Sequence, residues 1–125
     1  MKKLIIILSI VAFVVSCSTS KKTIEVNHKQ VKDSVEYELI IFDVGFDTWF
    51  IMRDNESMKK SEEYYKFKNQ LYVIEWNIRY HRGHSIFDCY IDYEPHIDYG
   101  FDFNYKLYMY FKYFEEKNKI KLLIH

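Results

Sequence analysis

The sequence has few of the residues that form tight turns, with three glycines and one proline in 125 residues. An all-β sandwich needs many such turns, and a phosphate-binding loop needs closely spaced glycines, so the composition disfavours both. It also contains no GxSxG, CxxC or HExxH motif. The sequence therefore carries no signature of a nucleotide-binding protein or of a common hydrolase, and it predicts no cofactor.

Net charge and cysteine are scarce as well. The chain has 18 basic and 18 acidic residues, whereas nucleic-acid-binding domains usually carry a basic excess, so we expect no nucleic-acid partner. It has two cysteines, Cys17 and Cys89. Cys89 lies among apolar residues, and we expect its thiol to be buried and inert rather than reactive.

A long apolar run is missing too. The run over residues 4–15 is 12 residues long and includes Ser9, whereas a membrane-spanning helix needs about 20 apolar residues. Lys2 and Lys3 precede the run and Ser16 follows it, a pattern typical of a signal peptide. We predict that residues 1–16 are cleaved, which leaves one small, slightly acidic domain. An uncleaved anchor or a buried helix is the alternative.

The residues before Cys17 are Val14, Val15 and Ser16, and they resemble the lipobox of bacterial lipoproteins. The resemblance implies that Cys17 carries a diacylglycerol on its sulfur and an acyl chain on its new amino terminus. Two or more chains anchor a protein stably. Ser18 stands where an Asp often retains lipoproteins at the inner membrane. The resemblance therefore implies a lipid anchor in the outer membrane, with the domain facing the periplasm.

The rest of the chain predicts an α+β fold, a small single domain of about two main helices packed on a few short strands. We expect residues 17–34 to form a flexible tether with a short strand at 23–26, and residues 35–125 to form the domain. Apolar residues alternate over 35–43, which indicates a strand. Residues 46–52 form either a short helix capped by Asp47 or Thr48, or a second strand.

A clearer helix begins after Ser61, a good N-cap, and ends near Gly83. Its apolar residues are spaced 3, 4, 3, 4 and 3 apart and form one stripe, which Val73 and Trp76 widen. The stripe comprises Tyr64, Phe67, Leu71, Ile74, Ile78 and His81. A strand over residues 71–77 is the competing interpretation.

A second helix is predicted over residues 105–116, capped by Asp102 or Asn104. Aromatic residues cover most of its circumference, so it is either deeply buried or presents an aromatic face to a partner. Residues 86–93 are expected to form a strand or an extended loop, and residues 119–124 a closing strand.

Residues 87–105 are both acidic and aromatic. Five carboxylates occur there within fifteen residues, with no Lys or Arg between them, at Asp88, Asp92, Glu94, Asp98 and Asp102. One interpretation is a calcium site around Gly100, although the spacing is not that of an EF-hand. A second is a glycan site, or a glycosidase pair of carboxylates, using Asp92, Asp98, Asp102, Trp49 and Trp76. The simplest is that the acids are turn and cap residues and the rings are core.

Two further candidate sites involve histidine. His81 and His84 are spaced as zinc ligands can be, with His96 or an acid as the third ligand. Cys89 with His84 or His96 is a conceivable thiol nucleophile. Surface histidines and a buried thiol explain these residues more simply, so no catalytic residue is assigned.

Several segments resemble a family of small lipoproteins from the phylum Bacteroidota whose domain has no assigned function. The segments are Gly45–Phe50, Tyr72–Asn77, Ile91–Tyr93, Asp98–Gly100 and Asn104–Leu107. The resemblance covers about residues 37–116. It implies an envelope lipoprotein and brings no activity, cofactor or catalytic residue with it.

Two functions remain open at this point. The first is a non-enzymatic envelope lipoprotein that docks a partner protein through the aromatic residues of 87–114. The second is a glycan- or calcium-binding module, or a weak hydrolase, centred on the acidic and aromatic residues of 87–105. The sequence favours a non-enzymatic role over an enzymatic one.

Overall fold

A computed structural model describes residues 22–124. Two strands come first, β1 (Ile24–Val31) and β2 (Ser34–Ile41), and three α-helices follow, α1 (Phe46–Arg53), α2 (Glu62–His81) and α3 (Phe101–Asn118). A short 3₁₀ turn, Glu56–Met58, lies between α1 and α2. The predicted α+β fold in a small single domain is therefore confirmed. The predicted signal peptide and Cys17 lie outside the described residues.

The two strands form an antiparallel hairpin in which Ile24 lies opposite Ile41 and Val31 lies opposite Ser34. The strand predicted from residue 35 is confirmed, but β1 is longer than the predicted 23–26 and lies within the predicted tether. Ile24 is 1% exposed, so the folded domain begins by residue 24 and not at residue 35. Pairing with β2 satisfies the backbone hydrogen-bonding groups of this polar segment. The sequence of β1 alone does not reveal that pairing.

Residues 46–53 form a helix, the first of the two alternatives. Neither Asp47 nor Thr48 caps it: the residue before the helix is Gly45, which gives no side-chain cap. Asp43 supports the helix start instead, because its carbonyl accepts from Phe46 N at 3.1 Å and its carboxylate from Gly45 N at 3.3 Å.

Helix α2 begins as predicted, since the Ser61 hydroxyl accepts a hydrogen bond from Tyr64 N at 3.2 Å. It ends as predicted too. Arg82 is the C-cap, and Gly83 follows with φ at +79°, a conformation that glycine adopts without strain. The alternative strand over residues 71–77 is wrong, because these residues lie inside the helix.

Helix α3 begins at Phe101, earlier than predicted, and neither Asp102 nor Asn104 caps it. Its N-cap is Gly100, at φ +88°. Asp98 fixes the turn before the helix by accepting from Gly100 N at 3.2 Å. Asn104 lies one turn inside the helix and donates back to Gly100 O at 3.0 Å.

Residues 86–93 form an extended loop, the second alternative, and residues 119–124 do not form the predicted closing strand. Side chains bind the backbone of both segments. The Asn77 amide bonds both Ile91 N, at 2.9 Å, and Ile91 O, at 3.0 Å. The Glu115 carboxylate accepts from Leu122 N at 2.8 Å. These contacts hold the two segments against the helices, and neither segment joins the sheet.

The core lies where α2, α3, α1 and the hairpin meet, and it is mainly aromatic. Tyr72 and Phe111 stack with centroids 4.9 Å apart, and Trp76 contacts Phe114 at 4.6 Å. Trp76 is 0% exposed. Rings from α3 therefore fill most of the space between the two long helices, which places α3 in the middle of the domain.

Candidate functional site

Helix α2 has apolar residues on two opposite faces, and only one face is buried. The inner face packs on α3 and comprises Tyr65, Asn69, Tyr72, Val73 and Trp76. The other row points to solvent, and we call it the outer stripe: Phe67, Leu71, Ile74 and Ile78, which are 60%, 37%, 52% and 39% exposed. The prediction that Val73 and Trp76 widen this same stripe is wrong, because they lie on the opposite side of the helix. Val73 and Trp76 are buried in the core, whereas the outer stripe faces solvent.

The outer stripe follows the spacing of a coiled-coil seam. Its residues are 4, 3 and 4 positions apart, and Tyr64 and His81 continue the pattern at either end. Apolar residues in this 3.5-residue repeat normally face a second helix. A contiguous apolar row on the surface of a soluble domain marks an interaction surface. The stripe is therefore the strongest candidate binding surface among the described residues.

Charged and apolar groups border the stripe on one flank. Lys68 and Glu75 each lie one position beyond a stripe residue, and Glu75 Oε1 accepts from Arg79 Nε at 2.7 Å. A shallow groove of about 400 Å³ joins Leu71 and Glu75 to Leu123 and Ile124. Ile124 is 90% exposed, so the exposed apolar surface extends from α2 to Ile124.

Most rings of residues 87–105 are part of the core. Phe87, Tyr93, Tyr99, Phe103 and Tyr105 are each 8% exposed or less. Tyr90 differs, at 54% exposure. The structure therefore places most of the predicted aromatic docking surface inside the domain, which agrees with the simplest interpretation of this segment.

The carboxylates of this segment do not converge. The Asp98 carboxylate bonds the turn before α3, and Asp88 accepts from Thr23 Oγ1 at 3.0 Å on the other side of the segment. Asp92 and Asp102 are exposed. No group of three His, Cys, Asp or Glu residues between 22 and 124 is arranged to hold a metal ion. No described contact thus favours the calcium or zinc interpretations.

The two tryptophans lie in different environments. Trp76 is fully buried, and its Nε1 donates to Cys89 O at 2.8 Å. Trp49 is half-buried, donates to Glu116 Oε2 at 3.0 Å, and has the Arg53 guanidinium 4.5 Å from its ring centroid. The structure therefore does not bring Asp92, Asp98, Asp102, Trp49 and Trp76 into one cavity.

Trp49 lines a groove with a volume of about 660 Å³. Several of its charged residues are bound to one another. Arg53 Nη2 donates to Glu116 Oε1 at 2.8 Å, and buried Glu115 accepts from Tyr72 Oη at 3.1 Å. Burial, reinforced by the Glu115 charge, raises the pKa of Tyr72 far above its usual range. These contacts tie α1, α2 and α3 together, so we assign them a structural role.

Cys89 is buried, as predicted, at 4% exposure. Burial raises the pKa of its thiol to about 11, although its contact with Ile24 O, at 3.5 Å, acts in the opposite direction. The thiol is thus protonated at neutral pH and unsuited to attack as a nucleophile. His81 and His84 are both exposed, as the simpler interpretation expects.

Comparison with known sequences identifies a family. The sequence pattern of DUF6146, a family of unknown function, matches residues 5–124. The chain belongs to this family. The match includes most of the apolar run, Cys17 and the whole described domain. No curated protein and no solved structure matches the chain.

Among residues 22–124, no helix is both long enough and apolar enough to cross a membrane.

The exposure of the outer stripe was missed by the sequence analysis. The signal that indicates it is the presence of apolar residues on two sides of α2, since a helix packed against one layer needs only one apolar face.

Proposed function

We propose that the chain is a lipid-anchored protein of the bacterial envelope, and that its domain docks a partner protein through the outer stripe of α2. The observation that carries the docking role is the exposure of four apolar side chains in one row of a well-formed helix. Their spacing suits a second helix better than a small ligand. The proposal requires no reacting group on the domain.

The anchor rests on the amino-terminal sequence. A basic start, a short apolar run and Ser16 precede Cys17, and the family match extends over this region. Six residues lie between Cys17 and the start of β1 at Ile24, so the distance between these two residues is at most about 25 Å. A lipid on Cys17 would therefore keep the domain near the membrane surface, where a partner in the same membrane meets it often.

Mass spectrometry of the chain extracted from bacterial envelopes tests the anchor. We expect a mature protein that begins at Cys17 and carries acyl chains, and that sediments with the outer membrane. The C17S variant should lack the lipid and leave the membrane fraction. An unmodified wild-type chain that begins at Met1 or Ser18 would contradict the anchor.

Site-specific photo-crosslinking in cells tests the docking role separately. A photoreactive residue at Ile74 should give discrete adducts of higher mass, because this position lies in the middle of the outer stripe. The same residue at Glu36, which is exposed on β2, is the control and should give none. Absence of adducts from Ile74, or equal adducts from both positions, would exclude docking through the stripe.

The glycan and calcium alternatives lack comparable support. They would use Asp92, Asp98 and Asp102 together with Trp49 or Trp76, but Trp76 is fully buried and the groove beside Trp49 includes none of these carboxylates. Docking through α2 is therefore the function that the arrangement of side chains supports best.

A further inference from the structure

We infer that the outer stripe binds a second copy of this chain, with α2 of one copy packed antiparallel against α2 of the other about a two-fold axis. This inference rests on the docking role proposed above and names the partner. Three features of the described residues support it: the spacing of the stripe, its symmetry, and the charges beside it.

The spacing assigns each residue of the stripe to a heptad position. With Tyr64 at position a, Leu71 and Ile78 also occupy a, while Phe67, Ile74 and His81 occupy d. Leu71, Ile78, Phe67 and Ile74 are the apolar members of this seam, and all four are exposed. Apolar a and d residues insert between the side chains of a facing helix. These four residues face no other helix of the described domain, whereas Tyr64, at one end of the seam, contacts Tyr108 of α3 with ring centroids 5.9 Å apart.

The symmetry of the seam fits two identical helices that run in opposite directions. When Leu71 faces Ile74 of the second copy, Phe67 faces Ile78 in the same register. Each layer then joins an a residue to a d residue. The same row of each chain forms both halves of the contact, as a two-fold interface requires.

The charges beside the seam are complementary in this register. Lys68 and Glu75 both occupy position e, and antiparallel pairing places Lys68 of each copy next to Glu75 of the other. Two ion pairs form across the axis. Lys68 takes part in no ion pair with any residue between 22 and 124. Glu75 binds Arg79 through Oε1, which leaves Oε2 for the second copy.

A parallel arrangement fits less well. It would place His81 against His81 and lay the two helix dipoles side by side in the same direction, whereas antiparallel helices have opposed dipoles that attract. It would also leave Lys68 and Glu75 out of contact with each other. The self-complementary charge pattern is therefore a reason to choose the antiparallel pair, and it provides the test.

The interface is small, so the dimer should be weak in free solution. Helix α2 has 20 residues and is therefore about 30 Å long. A lipid on Cys17 of each copy would hold both chains in one membrane and raise their effective concentration. Self-association should thus be stronger on membranes than in solution.

Charge exchange tests the pairing. Sedimentation velocity is measured on the mature chain carrying C17S, over a range of concentrations. We expect a monomer–dimer equilibrium that K68E weakens by about tenfold or more, since each change puts two pairs of like charges across the axis. E75K should have a similar effect, and the double variant K68E/E75K should restore dimerisation to within about threefold of the parent. K66E, with the same change of charge away from the seam, is the matched control.

Cysteine cross-linking tests the direction of the helices. F67C and I78C are each made with C17S and C89A, so that each chain has one thiol. Antiparallel pairing predicts rapid disulfide formation only when the two variants are mixed, because Phe67 of one copy faces Ile78 of the other. Rapid disulfides in each variant alone would show parallel helices and overturn the proposed pairing. Circular dichroism checks that every variant keeps its helix content.

A chain that remains monomeric at all concentrations and also on vesicles loaded with a lipidated form would overturn self-association. If photo-crosslinking from Ile74 then still gives an adduct with a different protein, docking through the stripe stands and only the identity of the partner changes. If K68E, E75K and the double variant all behave like the parent dimer, the pairing of Lys68 with Glu75 is wrong.

Discussion

The two faces of α2 are both apolar, yet one is buried and the other is exposed. The buried face has more polar atoms: Trp76 Nε1, the Tyr72 hydroxyl and the Asn69 amide each donate a hydrogen bond within the domain. The outer stripe has purely hydrocarbon side chains. The difference shows that hydrophobicity alone does not determine which face of α2 is buried. The shape of the side chains and their specific polar partners on α3 and the 87–97 loop also determine it.

Deleting a large ring from the inner face should have the largest effect. Trp76→Ala removes a fully buried indole and leaves a cavity, so we expect the free energy of unfolding to fall by about 3–5 kcal/mol. Urea denaturation of the mature C17S chain, at a concentration where it is monomeric, gives this value.

Ile74→Ala on the outer stripe is the matched comparison. It removes a half-exposed side chain and should change the stability of the monomer by no more than about 0.5 kcal/mol. Similar losses for the two variants would mean that the outer stripe is covered within the monomer, and would contradict the comparison.

Asn69 is the next most sensitive position. Its Nδ2 donates to Asn104 O at 2.8 Å, and both residues are 0% exposed. Asn69→Ala should cost about 2 kcal/mol, because a buried carbonyl loses its donor and a small cavity forms. Thermal denaturation measures the loss. Gln70→Ala, at the exposed position beside it, should leave the melting temperature nearly unchanged.

Asp43 provides a pH-dependent test outside α2. Burial alone would raise the pKa of its carboxyl, but hydrogen bonds from Lys117, Tyr113 and Gly45 outweigh burial and hold that pKa below its ordinary value. Because the folded pKa is the lower one, the carboxylate stabilises the fold above the ordinary carboxyl pKa. This contribution is lost as the pH falls through the folded pKa.

Asp43→Asn should therefore lower stability by about 1–2 kcal/mol at pH 7 and by little at very acidic pH. Urea denaturation at a series of pH values from 7 downward measures the difference. Asp47→Asn, at an exposed position in the first turn of α1, is the control. A loss that is equally large at pH 7 and at very acidic pH would show that the Asp43 charge is not the cause.

Thiol labelling should distinguish the buried core around Cys89 from the exposed outer stripe, and it does so without a measurement of stability. Burial raises the pKa of Cys89 to about 11, so at neutral pH its thiolate fraction should be far smaller than that of an exposed cysteine. In the C17S chain, Cys89 should react with iodoacetamide only after denaturation. Under conditions where the chain is monomeric, Ile74→Cys should react at once. Rapid labelling of Cys89 in the folded chain would contradict its burial.

Local signals predicted much of the fold. The start of α2 follows from Ser61, because capping is a contact between residues three positions apart. The alternation over residues 35–43 was sufficient for β2, and the apolar surroundings of Cys89 were sufficient to predict its burial. In each case the deciding interactions lie within the segment or depend on its average hydrophobicity.

Contacts between distant segments account for the errors. Residues 119–124 form no strand, and the Glu115 carboxylate of α3 binds Leu122 N instead. Strand β1 extends beyond its predicted end, where it pairs with β2. The surroundings of the candidate ligand residues also depend on contacts outside their own segments. Trp76 and the rings of 87–105 were as consistent with a binding surface as with a core, and their neighbours on α3 decided for the core.

The sequence by itself determined where α2 begins and ends, that the fold is α+β, and that Cys89 is buried, since short-range capping, periodicity and hydrophobicity control these properties. Only the tertiary structure decided which face of α2 packs on α3, because both faces are apolar and periodicity cannot choose between them. That choice follows from the fit of Tyr72 and Trp76 against Phe111 and Phe114, and it leaves Phe67, Leu71, Ile74 and Ile78 at the surface.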